Sequence, residues 1–240
     1  YVSPGVPIYT PPWSTRLSKH HALSNDLTLF EQITTKPILA VTGSNGKSTV
    51  VSMLEHISKS LGYRPHLAGN IGKPMLDLWR HHDSDADYDH HIIELSSFQL
   101  ATCPKFKTHT ALVNNIWPNH LDWHTSMDYY TACKLSLYQH TQHAIVPHQI
   151  DAFKPKFGKN TKYYKSNKGD ERRAGFHLRP HAVGCDIMYN NEYLISNSDL
   201  TVPGEHGAMN AMHALMMGHT MGWSLKTMTQ ALRSFTPLPH

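Results

Sequence analysis

The sequence predicts an α/β fold: a mostly parallel, doubly wound sheet with a P-loop-type phosphate loop and a small antiparallel β appendage. Short apolar runs alternate with segments of helical apolar spacing from residue 37 to about residue 150. This order is typical of parallel strands joined by right-handed crossovers. A glycine-containing turn follows the first apolar run, at the end of the strand where such sheets bind ligands. After about residue 150 the apolar runs are short, and Asn190-Asn191 is a candidate hairpin turn.

The first strand and helix flank the stretch 37–49, which reads PILAVTGSNGKST. The apolar run 38–41 predicts a buried strand. Apolar residues at helical spacing predict a helix over 50–61, with Gly62 where its C-terminal cap belongs. A strand, a glycine turn and a helix N-terminus together favour phosphate binding, because backbone N–H groups and the helix dipole face the anion.

The side chains after the turn fit the same interpretation. Lys47 would reach the β- and γ-phosphates of a nucleotide, and Ser48 or Thr49 would offer a hydroxyl to Mg²⁺. The general P-loop pattern has glycine where this chain has Val41. The alternative is therefore an ordinary glycine turn with an exposed Lys47.

The remaining elements follow from the same patterns. The other predicted strands are 63–67, 91–95, 110–116 and 144–146 in the parallel sheet, and 161–165, 174–178, 185–189 and 193–195 in the appendage. The predicted helices are a short one that includes Leu27 and Ile33, and those over 74–80, 126–140, 204–221 and 224–235.

Four polar residues are candidates for a site at the carboxyl ends of the strands, where ligands of open α/β sheets bind. Glu94 ends the third strand among apolar residues, so it is either a Mg²⁺ ligand or an edge-strand glutamate that faces water. His120 follows the fourth strand and is either a ligand of a second metal ion or a surface histidine. Lys134 lies within a predicted helix, where a lysine is ordinarily solvated. Asn70 follows the second strand and is otherwise a turn residue.

Composition limits the function classes. The 240 residues carry a formal net charge of +4 with interspersed charges, which argues against nucleic acid as the main partner. Three cysteines without a C-x-x-C pair are typical of a reducing cytosol. We find no apolar run of about 18 residues and no signal-peptide pattern, so we expect a cytoplasmic protein without a membrane segment. The sequence begins and ends abruptly, inside what look like ongoing elements, so we expect a fragment.

These pieces, in this order, resemble the Mur ligase family, the ATP-dependent enzymes that build the peptide stem of bacterial peptidoglycan. The loop TGSNGKST matches the short phosphate loop of that family, which accounts for Val41. Within the family, five separated segments resemble the members that add D-glutamate: SPG at 3–5, GNIG at 69–72, ELSSFQL at 94–100, ACKL at 132–135 and LPH at 238–240. The resemblance covers essentially the whole chain.

The resemblance implies a domain organisation. The family has an N-terminal domain that holds the UDP group, a central ATPase domain and a C-terminal Rossmann-like domain. Residues 1–36 would be the tail of the first domain and a linker, 37–236 the central ATP-binding domain, and 237–240 the start of a linker to the third.

The resemblance also implies where ATP and metal ions bind. The ATP phosphates would bind Gly43, Ser44, Asn45, Gly46, Lys47, Ser48 and Thr49. One Mg²⁺ ion would bind Ser48 and Glu94, and a second would be served by His120 and Lys134. Lys134 would act as a carbamate made with CO₂, which turns a cation into an anionic oxygen ligand. Lys47, His120 and Lys134 would be the catalytic residues.

The resemblance also implies substrate contacts, and the chain departs from the family pattern at two positions. Asn70 and Ser96 would face the muramoyl-alanine end of the substrate, and Asn210 would contact the adenine. The family usually has asparagine where this chain has Gly207, so one adenine contact is missing. It usually has aspartate where this chain has Asn119, which removes a negative charge near the metal.

The implied reaction is amide formation driven by ATP. It adds D-glutamate to UDP-N-acetylmuramoyl-L-alanine through an acyl phosphate, in a cytoplasmic, monomeric enzyme. We expect the fragment alone to be inactive, because the D-glutamate site would lie mostly in the missing third domain. The alternatives are another Mur ligase or a folylpolyglutamate synthase-like ligase, a P-loop kinase or nucleotide-dependent switch, and a non-catalytic nucleotide-binding module.

Overall fold

The computed structural model describes residues 25–79, 84–168 and 175–237, and the isolated positions 6 and 14. Within these residues the strands are β1 (Ile38–Thr42), β2 (Pro65–Gly69), β3 (His90–Glu94), β4 (Thr108–Val113), β5 (Thr141–Pro147), β6 (Lys162–Lys168), β7 (Phe176–His181), β8 (Gly184–Tyr189) and β9 (Glu192–Ser196). The α-helices are α1 (Asp26–Ile33), α2 (Lys47–Ser60), α3 (Ser97–Thr102), α4 (Leu121–His124), α5 (Met127–Leu135), α6 (His148–Asp151), α7 (Gly204–Thr220) and α8 (Leu225–Arg233). Short 3₁₀ helices cover Met75–Trp79, Asp85–Asp87, Ser136–His140 and Asn197–Asp199.

These strands form one sheet in the order β2-β3-β1-β4-β5-β6-β7-β8-β9. Neighbouring strands from β2 to β7 are parallel, whereas β7, β8 and β9 are antiparallel. The predicted α/β class, with its parallel sheet and antiparallel appendage, is therefore confirmed. The expectation that the segment 161–165 belongs to the appendage is wrong, because β6 pairs in parallel with β5 and extends the parallel sheet. The predicted hairpin turn is present, and Asn190 and Asn191 have positive φ angles of 47° and 67°.

Most predicted helices are present, with some differences in extent and type. α2 begins at Lys47, and Gly62 follows its end in the left-handed region with a φ angle of 86°. The predicted helix over 126–140 is divided into α5 and a 3₁₀ helix, and the helix predicted over 74–80 is a 3₁₀ helix. The sequence did not predict α3, α4 and α6, which have six, four and four residues. Such short helices do not show an apolar period.

Two hydrophobic clusters cover the two faces of the sheet. β1 contributes to both, since Leu39 and Val41 lie in one cluster and Ile38 and Ala40 in the other. The first cluster contains side chains of α2, α7 and α8, and the second contains side chains of α1, α3 and α5. Burial on both faces explains why the central strands are continuous apolar runs.

Some predictions fall on residues that the structure does not describe. The motifs at 3–5 and 238–240 lie outside the described residues, as does most of the predicted linker region before α1. The ends of the helix predicted over 74–80 and of the strand predicted over 174–178 also extend beyond them. Among the described residues, none of the helices has the length and apolar character needed to cross a membrane.

Candidate active site

The turn between β1 and α2 has the geometry of a phosphate loop. Gly46 precedes α2 in the left-handed region with a φ angle of 75°. The loop is held from the β4 side, since Asn115 accepts hydrogen bonds from the backbone N–H groups of Ser44 (3.0 Å) and Asn45 (2.8 Å). A Cβ atom at Gly46 would come within 2.8 Å of the Asn210 Oδ1 atom. Glycine is therefore required at this turn by both conformation and space.

The side chain of Lys47 is folded over this loop. Its Nζ atom donates hydrogen bonds to the carbonyl oxygens of Gly43 (3.0 Å) and Ser44 (3.2 Å). Burial lowers the pKa of Lys47 from its ordinary value, and the nearby Glu94 carboxylate opposes this shift. Lys47 is thus not the freely exposed lysine of the alternative interpretation, because its amine lies beside the loop backbone that would hold phosphate.

Glu94 forms a polar corner beside the loop. Its side chain is 1% exposed, and β3 lies between β2 and β1, so the edge-strand alternative for Glu94 is wrong. One carboxylate oxygen accepts from Ser48 Oγ (2.8 Å), and the other accepts from Asn70 Nδ2 (3.0 Å). The Asn70 backbone N–H also donates to the Glu94 carbonyl oxygen (2.9 Å). Two of the predicted ligands and one predicted substrate residue therefore meet at one point.

This corner fits the needs of a magnesium ion. Mg²⁺ retains several waters and usually takes one or two carboxylates together with phosphate oxygens. The pairing of the Ser48 hydroxyl with the Glu94 carboxylate, next to the phosphate loop, offers that donor set. In the described part of the chain, no group of three or more His, Cys, Asp or Glu residues is arranged to hold a metal ion. A Mg²⁺ ion here would take Ser48 and Glu94 from the protein, with waters and phosphate oxygens as its further ligands.

Gly69 allows β2 to approach this corner, and its replacement gives a sharp test. Its φ angle is 102°, and a Cβ atom would overlap the carbonyl oxygen of Glu94. We expect Gly69→Ala to lower the free energy of unfolding by about 2–4 kcal/mol in urea titrations. Gly62→Ala is the matched control, because its φ angle is 86° but no atom of the described residues lies within 4 Å of the added Cβ. The control should cost only about 1 kcal/mol, and equal costs for the two variants would contradict this account.

Lys134 is buried, contrary to what its position in a helix suggests. The residue is 2% exposed, and its Nζ atom donates to the Gly43 carbonyl oxygen (3.0 Å) and to Thr42 Oγ1 (3.3 Å). It also lies 4.8 Å from the centre of the Tyr130 ring. Burial, assisted by the charge of Lys47, lowers the pKa of Lys134 to about 7. A substantial part of the amine is therefore neutral at neutral pH, which is the form that reacts with CO₂ to give a carbamate.

The charges of His120 and Lys134 both act on His124, but the two side chains contact different partners. It is exposed and has a positive φ angle of 53° just before α4. Its ring lies 4.9 Å from the ring of Phe98, whereas Lys134 contacts Thr42 and Gly43 instead. The structure thus leaves the His120 ring accessible without forming a complete second metal site.

Ser96 begins α3 directly after Glu94 and Leu95. Its Oγ atom accepts from the Gln99 backbone N–H (3.2 Å), and Gln99 Oε1 accepts from the Ser96 backbone N–H (3.0 Å). This reciprocal capping box follows the S-x-x-Q pattern, a signal from which α3 could have been predicted. It holds the half-buried Ser96 at the carboxyl end of β3.

Asn210 belongs to an amide network, and it is the member of that network that the sequence predicted as a site residue. The buried Asn114 donates from Nδ2 to Asn210 Oδ1 (3.0 Å) and to the Asn45 carbonyl oxygen (3.0 Å). Its Oδ1 atom lies 2.7 Å from His213 Nδ1. Burial lowers the pKa of His213 to about 3, so this histidine is neutral. The adjacent asparagines 114 and 115 at the end of a predicted strand were the available signal.

A cleft of about 390 Å³ opens beside this network. Its lining includes Asn45, Gly46, Trp117, Gln149 and Asn210. The phosphate loop forms one wall of the cleft. A nucleotide with its phosphates on the loop could therefore extend its base into this space.

Gly207 has a structural reason to be glycine. It is buried in the first turns of α7, and a Cβ atom there would overlap the carbonyl oxygen of Val202. An asparagine at this position would require the Val202 segment to move. Restoring the usual family residue by a single substitution is therefore not a simple repair.

Sequence comparisons with known proteins point to one family. A family model described as the Mur ligase middle domain matches residues 41–218. The UDP-N-acetylmuramoylalanine--D-glutamate ligase of Pseudomonas syringae pv. tomato is 33% identical over 240 residues, which are 100% of this chain and 52% of that protein. The ligase of the same name from Colwellia psychrerythraea is 34% identical over 249 residues, covering 99% of this chain and 52% of that protein. The chain thus spans about half the length of the curated relatives it matches.

Solved structures agree on the fold. A structure of UDP-N-acetylmuramoyl-L-alanyl-D-glutamate--2,6-diaminopimelate ligase matches with a TM-score of 0.71 and 17% identity, over 100% of this chain and 53% of that one. A MurF ligase from Thermotoga maritima in complex with ADP matches with a TM-score of 0.67 and 14% identity, over 89% of this chain and 52% of that one. At these identities the matches show the fold alone.

Proposed function

Because the chain belongs to the Mur ligase family through its middle domain, we propose that it is the ATP-binding part of a longer D-glutamate ligase. That enzyme joins D-glutamate to UDP-N-acetylmuramoyl-L-alanine in cytoplasmic peptidoglycan precursor synthesis, and we propose that it is monomeric. Residues 37–236 form the central domain, residues 1–36 end the preceding UDP-binding domain, and 237–240 lead to a third domain. The observation that carries the proposal is the Ser48–Glu94–Asn70 corner beside the phosphate loop. It occurs in a chain that matches, over nearly its whole length, half of proteins named as D-glutamate ligases.

The reaction proceeds in two steps. The alanine carboxylate of the substrate attacks the γ-phosphorus of ATP, the bond from that phosphorus to the ADP oxygen breaks, and an acyl phosphate forms. The amine of D-glutamate then attacks the acyl carbon, loses a proton and expels inorganic phosphate. Phosphoryl transfer of this kind is accelerated mainly by positioning and charge stabilisation.

The residues of this chain supply both the positioning and the charge stabilisation. Lys47 leaves the Gly43 and Ser44 carbonyls and donates to the β- and γ-phosphates, while the loop N–H groups hold the β-phosphate. Mg²⁺ at Ser48 and Glu94 would neutralise charge on the phosphates. Asn70 and Ser96 orient the muramoyl-alanine end of the substrate, and Asn210 contacts the adenine.

Lys134 and His120 act next to the γ-phosphate. The lowered pKa and burial of Lys134 support its conversion to a carbamate, because a neutral amine is the nucleophile toward CO₂. The carbamate oxygens, together with the exposed His120 ring, would supply ligands for a second Mg²⁺ ion. Lys134 must first release the Gly43 carbonyl oxygen that it now contacts.

An amino-acid panel tests the proposed function. The longer protein is incubated with UDP-N-acetylmuramoyl-L-alanine and Mg·ATP, and phosphate release is followed with each amino acid. We expect release that requires D-glutamate and does not occur with L-glutamate, L-lysine or diaminopimelate. Release with another amino acid would overturn the substrate assignment, and no release with any of them would favour a kinase or a binding module.

A further inference from the structure

A buried histidine that the proposed mechanism does not use lies between two parts of the site. We call residues 96–99 the substrate turn and residues 120–134 the metal segment. His124, the last residue of α4, has no exposed surface. Its Nε2 atom lies 2.8 Å from the Oγ atom of the buried Ser97, within the substrate turn. A direct side-chain hydrogen bond therefore joins the two parts.

The hydrogen bond has a defined direction. Burial, with the charges of Lys134 and His120, lowers the pKa of His124 to about 4, so the ring is neutral and carries a single N–H. Among the residues that the structure describes, none offers a hydrogen-bond partner to the buried Nδ1 atom. A proton on Nδ1 would leave a buried N–H unpaired, which is rarer in proteins than an unpaired acceptor. The proton therefore belongs on Nε2, which donates to Ser97.

Ring contacts strengthen the same connection. Phe98 of the substrate turn lies parallel to the His124 ring, with centroids 5.5 Å apart and planes 3° apart. Phe98 also meets the rings of His120 and Trp123, each at 4.9 Å. His124 also meets the edge of Tyr130 at 5.1 Å, and the Tyr130 hydroxyl lies 2.8 Å from Ser44 Oγ in the phosphate loop. His124 thus lies between the substrate turn and Tyr130, whose hydroxyl reaches the phosphate loop.

The backbone of the metal segment needs such support. α4 lies between His120 and Thr125, which have positive φ angles of 53° and 64°. Left-handed conformations of residues other than glycine cost about 1–3 kcal/mol each and persist only where their surroundings impose them. The contacts of His124 with Ser97 and Phe98 are contacts of this kind.

We propose that His124 is a positioning residue, which uses Ser97 and Phe98 to fix the metal segment against the substrate turn. Through this connection Ser96 and His120 are presented to the substrate carboxylate and the γ-phosphate in one arrangement. The inference rests on the proposed function, and it adds a residue that orients the reacting groups without touching them.

Substitutions on both sides of the hydrogen bond test this role in the longer enzyme. His124→Phe keeps the ring but removes the donor, and Ser97→Ala removes the acceptor. We expect each to lower kcat about 10-fold to 100-fold, with the KM for ATP changed less than about 2-fold, because the phosphate loop itself is intact. The double variant should be no slower than the slower single variant, since one shared interaction is lost. His124→Gln, whose amide can occupy the Nε2 position, should recover a large part of kcat.

A second buried serine–histidine pair provides the matched control. Ser58 Oγ lies 3.0 Å from His90 Nε2, both residues are buried, and His90 begins β3 at the end of the sheet opposite Glu94. Ser58→Ala and His90→Phe should lower the melting temperature without lowering kcat of the folded enzyme. Equal losses of kcat from both pairs, or no rescue by His124→Gln, would show that His124 is merely structural.

Hydrogen exchange separates failure of this inference from failure of the proposed function. If the wild-type enzyme shows no D-glutamate-dependent turnover, the proposed function fails and the kinetic comparison cannot be made. Amide exchange in the substrate turn and in residues 120–126 then decides whether His124 connects the two segments. Ser97→Ala should speed exchange in both segments at once and leave α2 unchanged. Unchanged exchange in the metal segment would contradict the connection between the two.

Discussion

Replacing Lys47 with alanine is expected to lower kcat of the longer ligase by about 10³-fold. The Lys47 amine lies over the carbonyl oxygens of Gly43 and Ser44, one side-chain movement away from phosphates bound on the loop. Charge that develops on the transferred phosphoryl group would lose its cationic partner in the variant. The measurement is phosphate release with saturating Mg·ATP, UDP-N-acetylmuramoyl-L-alanine and D-glutamate.

Lys59→Ala is the control for this variant. Lys59 lies on the same helix, α2, but its side chain is 60% exposed and pairs with Glu55 at 2.7 Å. An exposed pair of this kind contributes little to stability, and it lies at the opposite end of the helix from the loop. Turnover of Lys59→Ala should match the wild type. A Lys47→Ala enzyme with wild-type kcat would contradict the assignment of the phosphate loop.

Replacing Lys134 with alanine should also abolish most turnover, and added acetate should restore part of it. If Lys134 acts as a carbamate, the variant lacks an anionic oxygen ligand and leaves a space that a short carboxylate can enter. We expect kcat to fall about 10²-fold to 10³-fold and to rise with acetate concentration until the space is filled. The measurement is phosphate release at several acetate concentrations, at constant ionic strength.

Two results would separate this role from a purely structural one. Lys107→Ala removes a lysine whose side chain is 78% exposed, and its kcat should neither fall nor respond to acetate. A Lys134→Ala enzyme that is folded and as active as the wild type would refute the role of Lys134. Loss of activity without any response to acetate would keep Lys134 as an important buried residue but contradict the carbamate.

The fold was predictable because the relevant signals are local. The apolar run of β1, the glycine turn and the periodic residues of α2 follow one another within a single stretch, so strand, loop and helix could be assigned together. Asn190 and Asn191 likewise specify their hairpin through their own backbone preferences. The membership of β6 was not predictable in this way, because its local sequence, KYYKSNK, does not indicate that it pairs in parallel with β5.

The environment of the site residues depends on contacts between distant segments. Glu94 could be an edge residue or an interior one, and only the position of β3 between β2 and β1 decides this. Lys134 has the local pattern of a solvated lysine, yet its helix turns it onto the carbonyl of Gly43. Asn114 and His213 are 99 positions apart, and nothing in either local sequence indicates their hydrogen bond.

The most direct test of the central claim is a crystal structure of the longer protein with Mg²⁺ and a non-hydrolysable ATP analogue. We predict the β-phosphate on the backbone N–H groups of residues 43–49 and a Mg²⁺ ion in contact with Ser48 and Glu94. Lys47 should have left the Gly43 and Ser44 carbonyls for the phosphates, and the base should occupy the cleft beside Asn210. A nucleotide bound elsewhere, or phosphates on the loop with Lys47 still on those carbonyls, would contradict the account.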